Sequence, residues 1–213
     1  MKAGSPKKPE GIQLGELRGL YRSPQGPAGV PVVMLHGYGG DERSMWIFGQ
    51  GMPEIHPVYS FRALYPAQEG GFRWHVGRRW PPPPSEVLDP AIDAMRKATA
   101  AIDAPHGILW VGFSQGAALA FHCAGSGLPT AGVACLAGYL PESPTAPPDR
   151  LPVFWSHGVQ DDRVPFAFAL EGAQALRDAG ADVDFCQADV GHKLSAGCQR
   201  ALWTWMERFA SRA

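Results

Sequence analysis

Gly107-Ile108-Leu109-Trp110-Val111-Gly112-Phe113-Ser114-Gln115-Gly116-Ala117-Ala118-Leu119-Ala120-Phe121 joins an apolar run to a small-residue run across one G-x-S-x-G corner. The first five residues predict a short buried strand, and Ala117 to Phe121 predict a helix. A serine on such a corner is held at the tip of a sharp turn, its hydroxyl projecting away from both elements. Gly112 and Gly116 are needed there because a side chain at either position would collide with the neighbouring strand or helix. In a chain with 26 glycines the motif alone is weak. The strand before it and the helix after it make Ser114 a candidate nucleophile.

Outward from this corner the pattern alternates. Residues 11–22 predict one or two short edge strands, followed by a turn over 23–27. Pro31-Val32-Val33-Met34-Leu35 reads as a strand buried on both faces, ending in the glycine-rich loop His36-Gly37-Tyr38-Gly39-Gly40-Asp41. A short helix is expected over 44–50 and a strand over 58–65. Residues 66–84, with Pro81 to Pro84, cannot be helix or central strand because proline removes backbone donors. A helix is expected from Asp89 to Ile102, with Asp89-Pro90 as cap and first turn. Strands recur at 131–137, 152–156 and 181–187, with helices over 166–179 and 195–210. Strands alternating with helices imply a mostly parallel central sheet flanked by helices. With 213 residues the chain fits one domain over 11–213, and residues 1–10 are expected to be a disordered tail.

Bulk composition excludes several classes. A net charge of -1 gives no reason to expect nucleic acid as a partner. No run of about 18 apolar residues is present, so no membrane span is expected, and the basic N-terminus lacks the apolar stretch of a secretory signal. No cluster has metal-ligand spacing and there is no phosphate loop, so neither metal nor cofactor is expected. The four cysteines, Cys123, Cys135, Cys186 and Cys198, form no C-x-x-C pair. They are expected to be buried, reduced and structural, which favours a cytoplasmic location, with a Cys186–Cys198 bridge kept open. Oligomeric state is not legible.

A serine hydroxyl needs a neighbouring base, and the base needs an orienting acid. In this type of fold the partners follow on later loops in the order serine, acid, histidine. Asp161, in His157-Gly158-Val159-Gln160-Asp161, follows one predicted strand, and His192, in Gly191-His192-Lys193, follows the next. All three side chains can converge at the carboxyl ends of the strands. Asp162 and Asp189 are rival acids, and His36 and His157 are rival bases that more naturally brace their own loops.

Gly-Phe-Ser-Gln-Gly-Ala-Ala at 112–118 closely resembles the nucleophile signature of the phospholipase/carboxylesterase family of α/β-hydrolases, which includes acyl-protein thioesterases. The segments 36–41, 157–165 (H-G-x-x-D-x-x-V-P) and 191–192 resemble that family's glycine loop, acid loop and histidine loop. The resemblance implies an α/β-hydrolase fold without a large cap domain. It further implies Ser114 as nucleophile, His192 as general base, Asp161 as its orienting acid, and the backbone N–H groups of Tyr38 and Gln115 as oxyanion donors. The substrate would be a small-molecule acyl ester. The alternatives are acyl-protein thioesterase or lysophospholipase activity, or a non-enzymatic acyl-ligand or protein-binding scaffold. Trp46, Trp74, His75 and Trp80 are candidate pocket walls.

Overall fold

Along the central strands, successive side chains go to opposite faces, and both faces are dry. The computed structural model describes residues 8–77, 81–142 and 149–210. In chain order the strands are β1 (Glu10–Leu14), β2 (Leu17–Arg22), β3 (Val32–Leu35), β4 (Val58–Phe61), β5 (Tyr65–Pro66), β6 (Phe72–Arg73), β7 (Leu109–Phe113), β8 (Gly132–Leu136), β9 (Pro152–Gly158) and β10 (Asp182–Ala188). The helices are α1 (Trp46–Gly49), α2 (Asp89–Thr99), α3 (Gln115–Gly125), α4 (Phe166–Asp178) and α5 (Ala196–Glu207). Eight strands form one sheet in the order β1-β2-β4-β3-β7-β8-β9-β10. The β1–β2 and β2–β4 pairs are antiparallel, and every other neighbouring pair is parallel.

Val33, Leu35, Trp110, Val133, Cys135, Val153 and Trp155 point to one face, where they pack with residues of α2, α3 and α4. Val32, Met34, Leu109, Val111, Ala134, Leu136 and Phe154 point to the other, under α5 and the partly buried Trp46 and Phe48 of α1. The period of two within each strand thus builds two cores from one sheet. Among the described residues no inserted domain covers the carboxyl ends of the strands, and no helix is long and apolar enough to cross a membrane. Of the tail expected over 1–10, residues 1–7 lie outside the described residues, and β1 opens at Glu10.

The expected strand over 58–65 splits after Phe61. Tyr65 and Pro66 pair instead with Phe72 and Arg73 in a separate antiparallel ribbon, so part of 66–84 is ordered structure. This ribbon grips the first glycine loop: Gly39 N–H donates to Phe72 O at 2.9 Å, and Phe72 N–H donates to Gly40 O at 2.8 Å. Gly71, at φ +70°, allows the approach, since a Cβ there would lie 2.0 Å from Gly39 O. Asp89 does not cap α2. A 3₁₀ turn over Ser85–Leu88 leads in, Leu88 occupies the cap position, and the Asp89 carboxylate lies 3.1 Å from His122 Nε2.

Candidate active site

The corner between β7 and α3 puts Ser114 at φ 53° and ψ −114°. Such a conformation costs a residue with a Cβ about 1–3 kcal/mol and persists only where its surroundings impose it. Those surroundings are visible. Ser114 N–H donates to Leu136 O at 2.9 Å, and Ala117 N–H donates to Ser114 O at 3.0 Å. A Cβ on Gly112 would fall 2.3 Å from Gly116 O, and one on Gly116 would fall 2.1 Å from Leu35 O. Both glycines of the motif are therefore steric requirements, as the sequence predicts.

The first glycine loop closes on the serine from the β3 side, where a Cβ on Gly37 would sit 3.3 Å from Ser114 Cβ. His36 braces this loop. Its Nε2 accepts from Ala63 N–H at 3.0 Å, so the ring proton sits on Nδ1, which donates to Gly37 O at 2.6 Å. Burial pulls the His36 pKa down and keeps that ring neutral. Trp74 ties the loop to α3: its indole N–H donates to His36 O at 2.8 Å and its backbone N–H to Gln115 Oε1 at 2.8 Å.

From the other side come the loops after β9 and β10. They are stitched together by Val159 N–H to Ala188 O at 2.9 Å and Gln160 N–H to Val190 O at 3.0 Å. Gly158 permits this closeness, because a Cβ there would lie 2.2 Å from Val190 O. The Asp161 carboxylate is shielded from solvent. Its Oδ1 accepts the backbone N–H groups of Arg163 and Val164, both at 2.9 Å. Its Oδ2 accepts His192 Nδ1–H at 2.8 Å, which leaves Nε2 of His192 as the remaining ring nitrogen. His157 Nε2 is 3.3 Å from the same oxygen but 2.9 Å from Val164 O, so it braces the acid loop. Of the rival acids, Asp189 accepts from Gln160 Nε2 at 2.7 Å, and Asp162 is exposed.

Ser114, Gln115, Tyr38 and His192 line one cavity of about 340 Å³, together with Gly37, Phe113, Tyr139, Arg163 and Val164. A second, more open groove shares Gly37, Tyr38 and Phe113 and continues to Met45, Ile47 and Phe48. The walls differ from those expected. Trp74 is fully buried and His75 nearly so, and Trp46 packs under β3 beside Gly49. None of the three is among the residues lining these two spaces. Trp80 lies outside the described residues. The actual walls, Phe113, Tyr139 and Val164, sit at or just past the carboxyl ends of strands, which is the positional signal that could have found them.

The expectation of four reduced cysteines is corrected here. Cys186 on β10 and Cys198 in the first turn of α5 form a disulfide across the loop that carries His192. Two elements adjacent in chain pack side by side and bring the sulfurs together. Cys123 and Cys135 are free and buried.

An eight-stranded, mostly parallel sheet with helices on both faces and a serine on a strained strand-to-helix corner is the α/β-hydrolase fold. The sequence profile of the phospholipase/carboxylesterase family matches residues 87–205, and the chain belongs to that family. Solved structures agree in fold. Esterase PE8 is 22% identical, over 91% of this chain and 99% of its own, with a TM-score of 0.79. The Bacillus cereus carboxylesterase is 19% identical, over 90% and 94%, with a TM-score of 0.77. Acyl-protein thioesterase 2 of Zea mays is 21% identical, over 88% and 96%, with a TM-score of 0.73. The chain is thus a member of a family of hydrolases of the phospholipase and carboxylesterase type.

Proposed function

We propose that the protein hydrolyses small carboxylic esters through an acyl-serine intermediate. Ser114 Oγ bonds to the ester carbonyl carbon while its proton passes to His192 Nε2. The carbonyl oxygen becomes an oxyanion that accepts from the backbone N–H groups of Tyr38 and Gln115. Collapse breaks the bond to the alcohol oxygen, which leaves with the proton from His192. Water repeats the sequence on the acyl-enzyme and releases the acid. Asp161 fixes the His192 tautomer and stabilises the imidazolium as it forms. What supports this assignment is the 2.8 Å contact between His192 Nδ1 and Asp161 Oδ2, with His192 facing the cavity that Ser114 also lines.

Hydrolysis of p-nitrophenyl butyrate tests it, with labelling by a fluorophosphonate. Ser114→Ala is expected to lose on the order of 10⁶ in kcat, Asp161→Asn about 10⁴, and the label should map to Ser114. A Ser114→Ala enzyme with wild-type turnover sinks the assignment. A matched thioester in the same assay decides between ester and thioester preference. On location, the Cys186–Cys198 bond withdraws the sequence argument for a reducing cytoplasm, since such bonds persist mainly in oxidising compartments.

A further inference from the structure

The cavity around Ser114 carries a charge that the ester chemistry above leaves unused. Arg163 lines it, and no Asp or Glu does. Several other arginines among the described residues are engaged: Arg62 makes a bidentate pair with Glu42, Arg208 meets Asp184, and Arg22, Arg96 and Arg177 donate to backbone carbonyls. Among the described residues the Arg163 guanidinium has no carboxylate within ion-pair distance, and its residue is exposed. Its starting point is nonetheless fixed, because the Arg163 backbone N–H is bonded to Asp161 Oδ1 at 2.9 Å. A cation therefore stands at the mouth of the cavity, rooted in the loop that orients His192.

The two halves of an ester meet different walls here. His192 returns its proton to the leaving oxygen from Nε2, so the alcohol half lies beside His192 in the cavity that Arg163 also lines. A groove that shares Gly37, Tyr38 and Phe113 with this cavity runs on to Ser44, Met45, Ile47 and Phe48, mostly apolar and suited to an acyl chain. We infer that the alcohol half of the preferred ester carries a carboxylate, held by the Arg163 guanidinium, whose planar fork matches two carboxylate oxygens. This rests on the esterase assignment above and narrows its substrate class.

The test uses two butyrate esters, ethyl butyrate and the butyrate ester of glycolate, with wild type, Arg163→Gln, Arg163→Glu and Ser114→Ala. The quantity read is the ratio of kcat/KM for the carboxylated ester to that for the neutral one, in which differences in intrinsic ester reactivity cancel between variants. Arg163→Gln should lower this ratio by about tenfold, the lower end for a charge-assisted hydrogen bond because the site is open. The wild-type ratio should shrink as salt rises from about 0.05 to 0.5 M. Arg163→Glu should favour the choline ester of butyrate instead. An unchanged ratio in both Arg163 variants overturns the inference, and so does an equal loss on both esters, which marks a structural role. If Ser114→Ala matches wild type on the neutral ester, the esterase assignment fails; if it is inactive while the ratio ignores residue 163, only this inference fails.

Discussion

Ser114 is held at φ 53° by steric walls on both sides, and every side chain at that position bears the same strain. Glycine alone escapes it, so Ser114→Gly and Ser114→Ala should both be inactive yet differ in stability. The glycine variant should be the more stable by about 1 kcal/mol, the strain relieved less glycine's larger entropy loss on folding. That corresponds to roughly 2–4 °C in melting temperature for a chain of this size. Calorimetry of the two variants checks it, and equal melting temperatures would mean the corner is not strained. At this scale the sequence was largely legible. G-x-S-x-G is a local steric code, and Gly112 and Gly116 meet backbone oxygens within 2.3 Å of an added Cβ. The preference for Asp161 over Asp162 and Asp189 rests on the H-G-x-x-D-x-x-V-P resemblance, and the contact that a triad needs, His192 with Asp161, is made only in the folded chain.

The loop from β10 to α5 carries His192 between two bonded cysteines 12 residues apart. Closing a loop of about this length removes roughly 3 kcal/mol worth of unfolded-chain entropy. Cys186→Ser with Cys198→Ser should therefore lower the melting temperature by about 6–12 °C. It should also slow fluorophosphonate labelling of Ser114, since His192 then hangs on a looser loop. Dithiothreitol should reproduce both effects in the wild type and neither in the double variant. A wild type indifferent to reduction would show that the bond contributes nothing to the fold. The chain left this bridge open without deciding it, because the spacing matches no motif and the sulfurs meet only once α5 packs beside β10. The ribbon of Tyr65–Pro66 with Phe72–Arg73 was missed for a related reason. Its partner is the glycine loop some 30 residues earlier, and nothing in a proline-rich stretch announces a distant acceptor.

Across the whole molecule four histidines, His36, His56, His75 and His157, are almost fully buried. Burial pulls each pKa below the ordinary histidine value. The unfolded chain takes up protons near pH 6.5 that the folded chain refuses until lower pH, so it binds more protons throughout that window. Stability is then fully present above about pH 6.5 and is lost as pH falls toward the folded values. Each such group contributes a limiting slope of about 1.4 kcal/mol per pH unit. Melting temperature should fall steadily between pH 7 and about 5.5. Asp41 and Glu42, held below the usual carboxylate range because hydrogen bonds outweigh the opposing effect of burial, lose their contribution only at lower pH. A melting temperature that is flat from pH 7 to 5.5 would show that these rings are not kept neutral by the fold.

The sequence by itself determined the alternation of strands and helices, the strand-to-helix corner at Ser114, and the chain order of the serine, acid and histidine loops. These are local matters of periodicity, glycine sterics and motif spacing, and short segments carry them. The tertiary structure alone decided that Cys186 finds Cys198 and that Trp74 braces the glycine loop from the core. It also decided that Phe113, Tyr139, Val164 and Arg163 form the cavity wall. Those outcomes depend on which loops the parallel sheet brings to one edge, and contact across strands far apart in sequence leaves no trace in any short stretch of it.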